Sequence, residues 1–249
     1  MALNEVEEDS LNTKFRFNCT KTCDKRCCKD SALQLDPCDI IPMKKTLGIS
    51  SHEFLEKYTY PQIDSKSRVF VLLKMPCPFL KPEGCSIYME RPIHCRLYPI
   101  VEHFFERSFT YDFKYYLDEI TNCPGLQGNS EWTVETWKRS HGLDVLDQLH
   151  KEWYEIFFSA NISDKSDQAQ IIVAGYDLDR FKTFVLNTGF LNIVDVEEEE
   201  LHKIKKDDIA LMKFGFRYLR HIFDIEKTLK IKKRDELQLK QMIRDIMCI

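Results

Sequence analysis

The chain has 249 residues, a formal net charge of -4 at neutral pH and ten cysteines. That length buries a real core in one large domain or two modest ones, and the mild negative balance argues against a protein whose main task is gripping nucleic acid. The acidic start carries no basic segment followed by an apolar one, and no uncharged apolar run approaches the roughly 18 residues of a membrane span, so the expected location is the cytoplasm, where thiols stay reduced.

Residues 1–16 read as a flexible acidic tail. The first cysteine cluster follows as Phe17-Asn18-Cys19-x3-Cys23-x3-Cys27-Cys28, with Lys21, Lys25, Arg26 and Lys29 between and after the thiols. Asp36-Pro37 opens a helix that carries Ile40, Ile41, Met43 and Leu47 and stops at Gly48. Ser50 and Glu53 form a capping-box pair ahead of a helix that buries Phe54, Leu55 and Tyr58. Arg68 to Lys74, centred on Val-Phe-Val-Leu-Leu, reads as a short buried strand.

The second cysteine group runs Cys77-Pro-Phe-Leu, Gly84-Cys85-Ser-Ile-Tyr88, then Arg91-Pro92-x2-Cys95-Arg96-x-Tyr98-Pro99. It is Pro-rich, so the expectation is a loop with one or two helical turns, starting at Pro92 and ending at Tyr98-Pro99. Ile100 to Tyr116 reads as a β-hairpin connected at Arg107 and Ser108, with Phe109, Tyr111, Phe113 and Tyr115 alternating on one arm. Its aromatics are assigned to the core, with a stacking surface for bases or a ligand as the alternative. The hairpin returns the chain to Cys123-Pro-Gly.

From Trp132 the pattern turns helical, through Val134, Trp137, Leu143, Leu146, Leu149, Trp153, Ile156 and Phe157. The polar segment 161–170 is the best boundary candidate. Another helix carries Leu178, Phe181, Phe184 and Val185 and ends near Asn187-Thr188-Gly189. Asp207-Asp208 caps an apolar helix through Phe223, and a last helix is expected from about Glu226 to Met247. The fold class is α+β: a cysteine module over 17–128 with a short strand and a hairpin, then a helical extension over 129–249 packed on it.

Clustered thiolates select zinc, copper(I) or iron–sulfur clusters, and without an export route they argue against a disulfide framework. Zinc knuckles favour Cys-x2-Cys; here the spacings are x3, x3 and zero. Adjacent Cys27 and Cys28 tend to point apart, which a larger iron–sulfur core or two neighbouring metals accommodates. Cys77 and Cys123 each precede Pro, as does the last ligand of ferredoxin-type runs. The expected ligand set is Cys19, Cys23, Cys27, Cys28, Cys77, Cys85, Cys95 and Cys123, with Cys38 and Cys248 outside it. Arg91 and Arg96 are candidates to hydrogen-bond the sulfurs, and Tyr88 and Tyr98 to wall off water; surface ion pairs and core packing are the alternatives for these residues. His94 is taken as structural. No phosphate loop, His-Glu-x2-His helix or nucleophile elbow is present. From Leu201 onward there are 13 Lys plus Arg against 7 Asp plus Glu. This basic end is read as a helical layer on the module, with docking of an acidic protein partner or nucleic acid as the alternative.

Together, the Phe-x-Cys and Cys-Cys cluster, Cys-Pro-Phe-Leu, Gly-Cys-Ser-Ile-Tyr, Arg-Pro-x2-Cys-Arg-x-Tyr-Pro and the final Cys-Pro-Gly resemble the YkgJ-type cysteine-cluster family. The resemblance implies a zinc- or iron-chelating domain, and Asp39 fits its pattern. The first cluster departs from the family's Cys-x2-Cys-x2-Cys-Cys. Tyr176-Asp-Leu-Asp-Arg-Phe and Asp207-Asp-Ile-Ala-Leu-Met resemble the helical extension of longer members. One branch is similar to flagellin lysine-N-methylases, which implies an iron–sulfur cluster and S-adenosylmethionine as an enzymatic alternative, although the chain shows no Gly-x-Gly-x-x-Gly. The favoured function is a metal-binding protein holding an iron–sulfur cluster; the others are protein-lysine methyl transfer and a structural zinc domain for protein interaction.

Overall fold

The computed structural model describes residues 10–19, 25–29, 33–107, 110–118 and 123–232. Cys23, Phe109 and Cys248 lie outside them, as does most of the last expected helix.

Part of the span expected as a tail, residues 14–16, is a strand. Lys14–Arg16 (β1) pairs antiparallel with Glu131–Thr133 (β8), opposing Phe15 to Trp132. Phe15 and Phe17 are buried and meet the Trp137 ring edge-on, at 5.8 and 5.5 Å. The acidic character of the first ten residues does not extend to these aromatics, whose burial shortens the tail expected over 1–16.

Local signals set the next elements. Pro37–Leu47 (α1) starts on Pro37, where the missing N–H costs nothing, and ends at Gly48, which takes φ +67° at the C-cap. Ser51–Tyr58 (α2) carries the full capping box: Ser50 Oγ accepts from Glu53 N, and the Glu53 carboxylate accepts from Ser50 N. The buried strand is Val69–Leu73 (β3), and Thr59–Ile63 (β2) pairs with it. Sequence reading missed β2 because four of its five residues are exposed, so it lacks apolar alternation.

Leu80–Lys81 (β4) and Gly84–Cys85 (β5) form a minimal hairpin, and Ile93–Leu97 (α3) is a single helical turn with Pro92 as its N-cap rather than its first residue. Ile100–Arg107 (β6) and Thr110–Leu117 (β7) make the expected long hairpin, with Phe104 opposite Phe113. Among its described aromatics, Tyr115 is buried, and Phe104 and Phe113 pack against the core, 5.3 and 5.4 Å from Tyr154.

The rest is helical: Val134–Ser140 (α4), Asp147–Ser159 (α5), Lys165–Ile171 (α6), Leu178–Asn187 (α7), Phe190–Ile193 (α8), Glu198–Lys206 (α9) and Asp208–Ile222 (α10). α5 and α10 bury stripes at three- and four-residue spacing, from Leu149 to Phe157 and from Leu211 to Leu219. Tyr218 sits among Phe181, Phe184 and Phe190 at 5.5 to 6.0 Å, and its hydroxyl donates to Gln170.

Two expectations fail here. The polar segment 161–170 is not a boundary: Asp164 caps α6, whose end runs into a buried π-turn over Ile172–Tyr176. The helix expected from Glu226 does not start there. Lys230–Ile231 (β10) instead pairs with Val194–Asp195 (β9), held by Lys232 N donating to Ile193 O and Leu229 N to His221 Nδ1. Backbone pairing with a distant strand overrides the helical periodicity of this stretch.

The two halves share one continuous core. Lys44 on α1 is buried and bridges Asp179 and Asp208 at 3.0 and 3.1 Å, and Ser51 Oγ donates to Asp177 at 2.7 Å. α1 and α2 thus bolt the cysteine segments to α7 and α10.

Candidate metal centre

Four short segments carry four thiols that influence one another electrostatically. Lys25, at φ +59°, turns the chain into a 3-10 turn over Arg26–Cys28, with Cys28 N donating to Lys25 O at 2.9 Å. The Lys25 ammonium donates to Pro82 O and Lys81 O, at 2.7 and 3.2 Å, fixing this turn to the tip of the β4–β5 hairpin. Cys77 opens the turn before β4, where Leu80 N donates to Cys77 O. Cys85 sits on β5, opposite Leu80. Cys95 lies on α3, whose first turn is pinned by Asp39: one carboxylate oxygen accepts from Ile93 N at 2.8 Å, the other from Asp36 N at 2.9 Å.

These thiols share one electrostatic environment. Cys77, Cys85 and Cys95 are all pushed above the ordinary thiol value, first by burial. The Cys28 sulfur pushes all three further, and Cys77 and Cys85 act on Cys95 as well. Like charges this close resist ionising together unless a cation compensates them. Opposing forces are built in. The backbone N–H groups of Phe79 and Leu80 hydrogen-bond Cys77, and that of Ile87 hydrogen-bonds Cys85, each stabilising the thiolate. Cys28 is lowered to about 7, first by the Cys27 thiol, then by Lys25 and Arg91. Four electrostatically linked thiols, amide donors and flanking cations are the chemistry of a thiolate-bound metal group. Among the described residues no three His, Cys, Asp or Glu side chains stand close enough to hold one ion as placed.

The other expected residues divide. Arg91 acts electrostatically on Cys28 and Cys85, and its guanidinium lies 4.0 Å from the Tyr88 ring. Arg96 is half-buried beside Cys95 and Asp39; its Nη1 reaches His141 O at 3.4 Å, and its Nε has no partner among the described residues. Tyr88 is 53% exposed, so it walls off nothing. Tyr98 is half-buried against Phe17, and its hydroxyl donates to Cys123. Cys19 and Cys27 are exposed, whereas Cys123 is half-buried. Cys38, outside the expected set, is buried and held neutral, first by burial, then by Asp36 and Asp39. No disulfide joins any described cysteines.

Sequence reading missed the charged layer beneath this site. His150 on α5 is buried, with Nδ1 bonded to Asp36 and Nε2 to Glu102 on β6 at 2.7 Å. Burial alone would depress His150, but the two carboxylates hold it well above its ordinary value. Lys138 is also buried, reaching Tyr115 Oη and Asp147 at 2.7 and 2.8 Å. The signal was present: His150 interrupts the apolar stripe of α5, and Glu102 falls on the inward side of β6 between Ile100 and Phe104.

Residues 18–126 match the family model CxxCxxCC, described as "Putative zinc- or iron-chelating domain". No curated protein and no solved structure matches the chain. No described helix is long and apolar enough to cross a membrane.

Proposed function

Residues 18–126 are a cysteine-cluster domain of the zinc- or iron-chelating family, and on that premise we propose that Cys28, Cys77, Cys85 and Cys95 hold one iron–sulfur cluster. The observation that carries this reading is the mutual electrostatic coupling of these four sulfurs, which arrive on four separate segments. Amide donors to Cys77 and Cys85 are the kind of hydrogen bond that tunes cluster potential. When bound, the cluster supplies one-electron exchange.

The surrounding residues have defined tasks. Lys25 and Arg91 offset the negative charge of the thiolate set. Asp39 fixes the start of α3 and so the position of Cys95. Leu97 and Ile93, both buried, close the inner side of α3. Methyl transfer with S-adenosylmethionine gains nothing from the family description, which names metal chelation alone.

Anaerobic purification followed by iron, acid-labile sulfide and zinc analysis tests the assignment. The expected result is a brown protein with iron and sulfide in equal amounts. Stoichiometric zinc in a colourless protein would retain chelation and reject the iron–sulfur assignment. In that case Cys28, Cys77, Cys85 and Cys95 form a tetrahedral zinc site.

A further inference from the structure

The charged layer around His150 has a geometry that the metal reading does not use. The imidazole is clamped between acceptors on two elements: Asp36, ahead of α1, takes Nδ1, and Glu102 on β6 takes Nε2 at 2.7 Å. Asp36 is 0% exposed and the Glu102 side chain 4%. His94 Nε2 approaches Glu102 to 3.6 Å, the Phe113 ring stacks on His150 at 4.7 Å, and the Tyr154 ring lies at 4.8 Å. A proton leaving the imidazole therefore passes through Asp36 or Glu102. The Asp36 end leads no further, because its Oδ1 is buried and meets no hydrogen-bond partner among the described residues. On the Glu102 side lies a cavity of about 10 Å³, whose polar lining is Glu102, His150, Lys138 and Asp147. Ile93 and Leu97, which flank Cys95 on α3, supply part of its apolar wall. That volume admits one water and nothing larger, and a buried water needs two to four polar partners. Lys138 donates to Tyr115 Oη at 2.7 Å and to Asp147 at 2.8 Å, which uses two of its three N–H groups and leaves one for the cavity it lines. The Asp147 side chain is 49% exposed, so the Lys138–Asp147 pair reaches solvent.

We propose that this cavity binds one water, which accepts from the Lys138 ammonium and donates to Glu102, and that the water completes a proton path from solvent through Asp147, Lys138 and Glu102 to His150. Outward, the Nε2–H bond of His150 breaks as an O–H bond forms on Glu102. The water takes that proton while yielding one of its own to Lys138, and Lys138 in concert yields one to Asp147, which releases it to solvent. Glu102, the water, Lys138 and Asp147 each end as they began, and His150 is left neutral. The inward path reverses these steps. The layer thus exchanges one charge with solvent while the core stays closed. The inference stands on the cavity and its polar lining and does not depend on the metal assignment.

Solvent exchange of the His150 Nε2 proton, read by NMR on full-length protein labelled with nitrogen-15 at histidine, tests the path. In wild-type protein this proton is expected to exchange faster than the slowest backbone amides, which open only with the whole fold. Asp147→Asn removes a half-exposed carboxylate and leaves the buried groups in place. It is expected to slow the exchange about a hundredfold, the low end of what a positioned acid–base group contributes. Leu143→Phe, which fills the cavity from its apolar wall, is expected to slow it likewise; where that variant does not fold, Asp147→Asn decides the matter. A crystal structure of the unaltered protein is expected to show one water within hydrogen-bond distance of Lys138 Nζ and a Glu102 oxygen. A dry cavity in that crystal, exchange no faster than the slowest amides, or exchange unchanged in Asp147→Asn would each overturn the proposal.

Discussion

In the helical half, Trp153, Tyr176, Phe181, Phe190, Phe214 and Tyr218 are all essentially fully buried, and their rings pack at 5 to 6.3 Å. In the cysteine module, Cys28, Cys77, Cys85, Cys95 and Cys123 are only partly buried and Cys19 and Cys27 are exposed. The helical half is held by apolar area removed from water, a force that needs nothing bound. The loops around Cys28 and Cys77–Cys95 are anchored by buried Phe79, Ile87 and Leu97 and by polar contacts, among them the Lys25 ammonium on the β4–β5 tip and Asp39 on α3. Burial and neighbouring sulfurs disfavour ionisation of Cys77, Cys85 and Cys95, so the proposed metal would act on one side of the molecule and leave the other untouched.

The largest expected effect follows from that contrast. Thiolate metal binding is worth on the order of 10 kcal/mol and becomes folding energy where the site assembles with the fold. Stripping the metal should therefore melt the cysteine loops ahead of the helical half. Calorimetry of holo and apo protein should show one transition splitting into two, and an unchanged single transition in the apo form would break the comparison. Next comes Phe181→Ala, which should cost about 3–5 kcal/mol by opening a cavity while leaving bound metal per folded chain unchanged. Denaturant unfolding combined with metal analysis checks both.

His150→Gln is expected to cost about 3 kcal/mol by leaving two buried carboxylates without their cation. Its effect should also depend on pH. The folded-state pKa of His150 is raised, so its contribution is full below the ordinary histidine value of 6.5 and is lost as pH rises through the higher folded value. Glu102 has the opposite sign. Burial opposes its ionisation, but His150, His94 and Lys138 hold it below 4.5, so its contribution is present above that value and is lost as pH falls. Urea midpoints measured across pH should show the wild-type advantage over His150→Gln greatest between the ordinary values of 4.5 for Glu102 and 6.5 for His150 and shrinking on either side.

Much of the architecture was legible because its determinants are local. Pro37, Gly48, the Ser50–Glu53 pair and Asp207 mark helix ends through backbone rules that act within a few residues. The alternation of Phe113 and Tyr115 announced the β6–β7 hairpin. What stayed hidden was non-local. The pairing of Phe15 with Trp132 and of Ile231 with Val194 depends on partners far along the chain, and such short strands leave no periodicity of their own. The cysteines were legible as a set, but the backbone that positions their segments was not. It depends on Lys25 seating the Arg26–Cys28 turn on β4–β5 and on Gly125 admitting Phe17.

X-ray absorption at the metal edge of the purified holoprotein tests the central claim most directly, because it reads the atoms around the metal without a variant. Convergence of Cys28, Cys77, Cys85 and Cys95 on one iron–sulfur cluster predicts an iron signal with an all-sulfur first shell and a short iron–iron vector beyond it. A first shell of nitrogen and oxygen, or iron with no sulfur neighbours, would contradict it.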